Sequence, residues 1–220
     1  VSPDACLPPD TLVVARRLDT FVVERAKTAR AHLKAMGHPL PIQALNLEEL
    51  NEHTPAAAIP ALLAPLKAGH DVGLLSEAGC PAVADPGAAL VMAAHRENIP
   101  VVPLIGPSSI LLALMASGLG GQRFAFHGYL PAKEPERSQA IRELEKTARR
   151  HRATQLFIET PYRSAALLDA LATTLAPDTF VSVGADLSLP SQLIQTRSAK
   201  NWRGRSDAVK DRLVVFGIGI

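Results

Sequence analysis

Two short loops hold the residues whose types and spacing could do chemistry. The first lies in LLSEAGCPAVADPG, residues 74–87, where two leucines run into two acids, a cysteine, two glycines and two prolines. Ala78 and Gly79 are small enough for a ligand to approach the backbone, whose unpaired amide and carbonyl groups recognise it without charged side chains. Pro81 and Pro86 fix φ and lower the entropy lost on binding. Glu77 and Asp85 are the acids nearest such a site. A structural reading is equally available: Glu77 is a solvated loop acid, Asp85 caps a helix starting near Gly87, and the glycine turns the chain. The second loop, IGPSS at residues 105–109, sets a glycine and a proline before Ser108 and Ser109, at a helix start suited to capping or to a polar ligand group. Two such loops on consecutive strands form opposite walls of one pocket. Cys80 has no cysteine partner nearby and reads as a small packing residue.

The elements that must position these loops follow from the punctuation by Gly and Pro. FVVE (21–24) reads as a strand, and RAKTARAHLKAMG as a helix with Ala26, Ala29, Leu33 and Met36 at helical spacing. PAAAIPALLAPLKAG (55–69) is an alanine-rich helix candidate, followed by a strand in HDVGLLS. GAALVMAAHRENI then reads as a helix, IPVVPLI as a strand and SSILLALMASGLG as a helix. Beyond GLGGQ (118–122), FAFHGYL is strand-like and EPERSQAIRELEKTARRHR is a charged helix with Ile141, Leu144 and Ala148 on one stripe. TQLFIET, TFVSVGADL and RLVVFGIGI read as strands, with the helix PYRSAALLDALATTL after the first. This alternation implies an α/β fold with parallel βαβ units, and ligands bind at the carboxyl ends of such strands. The glycine-rich stretch divides the chain into an N-terminal domain, 1–119, and a C-terminal domain, 120–220. Two α/β domains leave a cleft between them.

Composition bounds the function classes. The 220 residues are 47% hydrophobic and 20% charged, and no apolar run approaches the roughly 18 to 20 residues that span a bilayer. Lys plus Arg exceed Asp plus Glu by 23 to 21, a weak lean toward anionic partners. Cys6 and Cys80 form no CxxC and the histidines form no HExxH, so no metal is expected and a reducing, cytoplasmic setting is. Motifs for dinucleotides, P-loop nucleotides and serine hydrolases are absent. The opening VSPDACLPPD reads as a loop entered midway rather than as a signal peptide, which suggests that residues precede Val1.

Taken together and in order, SEAGCPAVADPG, IPVVPLIGPSS, ALMASGL, FAFHGYLP-K---R and ETPYR resemble the tetrapyrrole-methylase-like (class III) S-adenosylmethionine-dependent methyltransferases. Within that class the chain is similar to the family of 16S rRNA (cytidine) 2′-O-methyltransferase I, whose motifs look like SDAGTP--SDPG, P-PGPSA, SGL, GFLP-K---R and ESPHR. The resemblance runs from about residue 20 to the end. It implies two α/β domains, the N-terminal one a parallel sheet with helices on both faces, usually in a homodimer, with S-adenosyl-L-methionine in the cleft. Ser76, Glu77, Ala78 and Gly79 would contact the cofactor, facing Gly106, Pro107, Ser108 and Ser109. Glu159 and Thr160, with Ala185, Asp186 and Leu187, would close over its adenosine end. The family's initial strand, ending in a Pro/Gly turn that carries the first cofactor-contacting loop, is not matched.

Departures concern the acceptor. Glu77 stands where the family has Asp, Cys80 where it has Thr, Tyr162 where it has His, ERAKT (24–28) replaces an EDTR-like segment and ADLSLP (185–190) a Glu-Leu-Thr-Lys stretch. A divergent paralogue with its own acceptor fits this pattern. A ribose hydroxyl is a poor nucleophile that a general base would help, with Glu77 or Asp85 in that role. For 16S rRNA or the small ribosomal subunit, Lys133, Arg137 and Arg163 are the cations expected to meet phosphates, and Tyr162 could stack on a base or pack in the protein. Arg149, Arg150 and Arg152 read as a solvated helix end. A tetrapyrrole-like or other small acceptor, and a non-catalytic cofactor-binding protein, remain alternatives.

Overall fold

The computed structural model describes residues 2–220, so the reading made at Val1 lies outside the described residues. The chain forms two compact units, one ending at Ser108 and the other starting at Ser109.

The first unit is built on a three-stranded parallel sheet of β1 (Thr20–Val23), β2 (Asn46–Glu49) and β3 (Gly73–Leu75), in the order β2-β1-β3. Its helices are α1 (Pro3–Cys6), α2 (Pro9–Arg17), α3 (Ala26–Ala35), α4 (Ile59–Leu62), α5 (Ala64–Lys67) and α6 (Gly87–Arg96). Side chains of a strand alternate between faces, so central β1 serves two cores. Phe21 and Val23 pack with Leu12 and Ala15 of α2 and Ala29 and Leu33 of α3, whereas Val22 packs with Leu63, Leu90 and Ala94. Burying side chains such as Phe21 or Leu33 contributes about 2 to 3 kcal/mol each. Helices therefore cover both faces, and the strands' carboxyl ends lead into residues 24–25 and 76–86.

Three expectations for this unit are corrected. Within VSPDACLPPD, residues 3–6 are helical rather than loop and residues 9–10 open the helix 9–17, with prolines in both first turns, where a missing N–H leaves no bond unmade. The single helix expected over 55–69 is a 3-10 turn followed by α4 and α5, because Pro60 and Pro65 each break the ladder and restart it from a first turn. IPVVPLI joins no ladder although it is β-branched. Pro100 and Pro103 remove two of its donors, and Val102 is 74% exposed.

The second unit begins with α7 (Ser109–Ser117) and continues through β4 (Phe124–Tyr129), α8 (Glu136–His151), β5 (Thr154–Glu159), α9 (Pro161–Thr174), β6 (Phe180–Ala185), β7 (Leu193–Ser198), α10 (Ala199–Trp202) and β8 (Val214–Gly219). The sheet order is β4-β5-β8-β6-β7. Only β4 and β5 are parallel, joined through α8; the other pairs are antiparallel, so the parallel expectation holds for one pair here. β8 is buried along its length, its Phe216 ring stacked on Phe157 at 5.8 Å. Ile141, Leu144, Leu167, Leu168 and Leu171 from α8 and α9 share that core, where the Trp202 indole N–H donates to the Val181 carbonyl at 2.9 Å.

Across the sheet, Gly217 and Gly219 leave room for Leu119, and a Cβ at Gly219 would lie 2.8 Å from Leu119 Cδ2. Helix α7 packs against β6, β7 and β8, so it belongs to this unit rather than to the first, where a boundary at 119/120 would put it. An apolar helix follows its buried face, and Ala113, Leu114 and Ser117 of α7 are buried here. Among the described residues no helix is long and apolar enough to cross a membrane.

Candidate active site

At the carboxyl edge of the first sheet, β1 ends at Val23, just before Glu24, and β3 at Leu75, just before Ser76. A shallow recess there is lined by Val23, Glu24, Arg25, Thr28, Ala29, His32, Met36, Leu75, Ser76 and Glu77. The Glu77 amide donates to Glu24 Oε1 at 2.7 Å, so Glu24 pins the turn that carries Ser76, Glu77, Ala78 and Gly79. Glu77 itself is exposed, as are Ala78 and Gly79. Among the described residues, neither the amide nor the carbonyl of Ala78 is used in the protein's own hydrogen bonds. Gly79 has φ +77°, and nothing lies within 4 Å of where its Cβ would be.

Asp85 stitches the far side of the loop. Its Oδ1 accepts from the Ala82 amide at 3.1 Å and the Gly87 amide at 2.7 Å, while the N-cap position of the helix is Pro86. The approach is close: a Cβ at Gly87 would sit 2.8 Å from that oxygen and 2.9 Å from Leu74 Cδ2. Asp85 Oδ2 is buried and accepts no hydrogen bond. Burial, followed by the nearby Asp85 and Glu77 carboxylates, raises the Glu24 pKa above its ordinary value of 4.5, against the Glu77 amide, which lowers it.

Ala82 (φ 65°) and Ala84 (φ 57°) hold left-handed conformations. Non-glycine residues there cost about 1 kcal/mol or more each, and such strain gathers where a loop must hold one shape. The Cys80 thiol donates to the Pro107 carbonyl at 3.5 Å and the Thr11 hydroxyl to the Ile105 carbonyl at 2.8 Å. The first contact brings the two loops of this unit together, with Gly106 and Pro107 beside the cysteine. Ser108 closes the first unit and Ser109 opens α7.

In the second unit the named acids are committed. Glu159, 5% exposed at the end of β5, accepts from the Thr160 amide at 2.7 Å and from Arg163 Nη2 at 2.6 Å. Asp186 follows Ala185 in a left-handed conformation and accepts from Arg212 Nε at 2.8 Å and from the Ser191 hydroxyl at 3.0 Å. Leu187 packs against Gly184, within 3.4 Å of where its Cβ would stand. Of the cations expected to meet an acceptor, Arg163 is spent on Glu159, and Arg137 pairs with Glu134 at 2.8 Å. Lys133 makes no ion pair among the described residues, and Tyr162 is 76% exposed beneath the Arg163 guanidinium. No group of three or more His, Cys, Asp or Glu side chains that could hold a metal occurs among the described residues.

Sequence reasoning missed Glu24, Arg212 and Ser191. Glu24 carried one signal, an acid directly after a β-branched strand; its partner lies 53 residues away.

The family model for tetrapyrrole (corrin/porphyrin) methylases matches residues 10–201. The chain belongs to this family. Among the tetrapyrrole methylases it is 36% identical over 168 residues to a ribosomal RNA small subunit methyltransferase I of Mesorhizobium japonicum, covering 75% of this chain and 56% of that protein. It is 34% identical over 182 residues to the protein so named in Xylella fastidiosa, covering 83% and 63%. The matched part thus spans little more than half the length of these relatives. In fold it is similar to the methyltransferase CobJ, with a TM-score of 0.66 at 18% identity over 98% of this chain and 89% of that one. Cobalt precorrin-4 methyltransferase CbiF gives 0.60 at 14%, over 96% and 88%.

Proposed function

We propose that the protein transfers a methyl group from S-adenosylmethionine to a ribose hydroxyl of small-subunit ribosomal RNA. The observation that carries this reading is the loop at residues 76–87, in a chain of this family: strained, pinned from both sides, and with backbone groups left open. Its residues fit the donor. The ligand is a cationic sulfonium, and Glu24, Glu77 and Asp85 form an acidic group with no ion-paired cation among the described residues. Ser76, Ala78 and Gly79 would hold the cofactor through backbone groups, with Gly106 and Pro107 beside them and Ser108 following. Ser109, Glu159, Thr160, Ala185, Asp186 and Leu187 are the proposed contacts from the second unit. The relatives' names support the acceptor class.

The bound cofactor supplies an electrophilic methyl group and a sulfur leaving group. The chain's own tasks are to orient the hydroxyl in line, exclude water and take its proton. Exposed Glu77 would take that proton. Asp85, with one oxygen on two amides and the other buried, serves the loop instead.

The test is incubation of the full-length protein with radiolabelled cofactor and small subunits from a deletion strain. Label is expected in RNA, at an alkali-resistant linkage. Label in a small-molecule fraction would favour a tetrapyrrole-like acceptor, and cofactor binding without transfer to either would leave a binding protein. A ribosomal substrate would be met in the cytoplasm, and sedimentation of the full-length protein tests the homodimer that the resemblance implies.

A further inference from the structure

Between Glu24 and Glu48 the chain contains no acid, while Arg25, Lys27, Arg30, His32 and Lys34 fall within ten residues. All five side chains are exposed, and among the described residues none has a carboxylate partner within 4.0 Å. The nearby acids are already used: Glu49 accepts from the Ala26 amide at 2.8 Å, and Glu24 from the Glu77 amide. Helix α3 arranges the cations in two sets. Ala29 and Leu33 face the core, Arg25 and His32 join Thr28 in lining the recess beside Glu77, and Lys27, Arg30 and Lys34 fall within about 60° of one another on the solvent side. Exposed Ala31 and Ala35 stand between them, so nothing bulky shields the row.

Three cations of the second unit near its acids contrast with these. Arg137 pairs with Glu134, Arg163 with Glu159, and Arg149 with Glu145 and Asp178. Unpaired cations aligned on a helix beside a site attract a polyanion, because each neutralised phosphate releases a counterion.

We propose that the solvent face of α3, with Lys27, Arg30 and Lys34, carries the ribose–phosphate strand of the acceptor RNA, and that Arg25 and His32 receive it at the edge of the recess. This rests on the RNA reading above and moves the expected phosphate contacts from Arg137 and Arg163 to α3. From Lys27 to Lys34 the row is about 10 Å long at 1.5 Å per residue, enough to follow a few nucleotides. Alanine substitution suits the helix, so its effect reports on charge rather than folding.

The experiment compares full-length wild type with K27A/R30A/K34A and with a control, R142A/K146A/R150A, that removes three exposed cations of α8. The readout is the dependence of small-subunit RNA affinity on salt. The α3 variant is expected to lose about 2 from the log–log slope, roughly 0.7 per cation for single strands, with the control slope unchanged and cofactor affinity equal in all three. A steep wild-type slope that survives in the α3 variant, or that falls equally in the control, overturns the surface and leaves the RNA reading standing. A wild type without salt-dependent RNA binding overturns the RNA reading and the surface with it. Equal loss of binding to phosphatidylserine vesicles overturns the RNA assignment. Should the variant lose cofactor affinity, photo-crosslinking of bound RNA to the wild type decides: adducts within residues 25–34 support the surface, and adducts elsewhere overturn it.

Discussion

The two units treat the acids at their strand ends in opposite ways. In the second, Glu159 and Asp186 each hold an arginine, and the resulting pairs lock the strand ends after β5 and β6. In the first, Glu24, Glu77 and Asp85 meet at a strand edge with backbone amides for company and no cation paired to them among the described residues. An acid already neutralised by a guanidinium shapes the backbone around it. One left uncompensated retains its capacity to take a proton or to face a positive ligand.

The sharpest way to break this contrast is to unmake a pair in the second unit. Glu159→Ala leaves Arg163 without its partner at a nearly buried site and should cost about 3 kcal/mol, seen as a lower urea midpoint at unchanged slope. In the first unit Glu77→Gln should barely move stability yet lower the single-turnover rate of methyl transfer about 100-fold at unchanged cofactor affinity. An unchanged rate would remove Glu77 as the base. Gly87→Ala pushes a Cβ onto Asp85 and Leu74, and a loss of about 1 to 2 kcal/mol with weakened cofactor binding is expected by calorimetry.

The smallest effect separates the units by pH. The Glu24 pKa is raised in the fold, so its contribution is complete below 4.5 and is lost as pH rises through the folded value. Glu134 is shifted down by hydrogen bonds from Ser138 and Arg137, so its contribution is present above 4.5 and lost as pH falls through the folded value. Glu24→Gln should therefore melt higher than wild type at pH 8, with the gap closing toward pH 4. A gap that widens on acidification would refute the raised Glu24 pKa.

Legibility in the sequence followed locality. The helices α6, α8 and α9 announced themselves through periodicity and punctuation, as did buried β8 through its β-branched run. Polar edge strands did not: Asn46–Glu49 shows no alternation to read, and Leu193–Ser198 is half-buried on every residue. IPVVPLI misled in the opposite sense, because propensity cannot supply a neighbouring strand to pair with. The loop at 76–87 was legible from its small and rigid residues. The partners that shape the site were not, since Glu24 with Glu77 and Arg212 with Asp186 are joined only by folding. The α3 cations were visible all along, but only the pairing of Arg137 and Arg163 elsewhere made them the better candidates for phosphate.

Ala82 and Ala84 have one more consequence. Glycine would adopt their left-handed conformations freely, so a drift to glycine at either position would ease the native loop. It would also enlarge the set of shapes open to the loop before a ligand arrives. Alanine at both keeps that set narrow, and the sequence thereby trades some resistance to unfolding for a loop that holds its shape in advance.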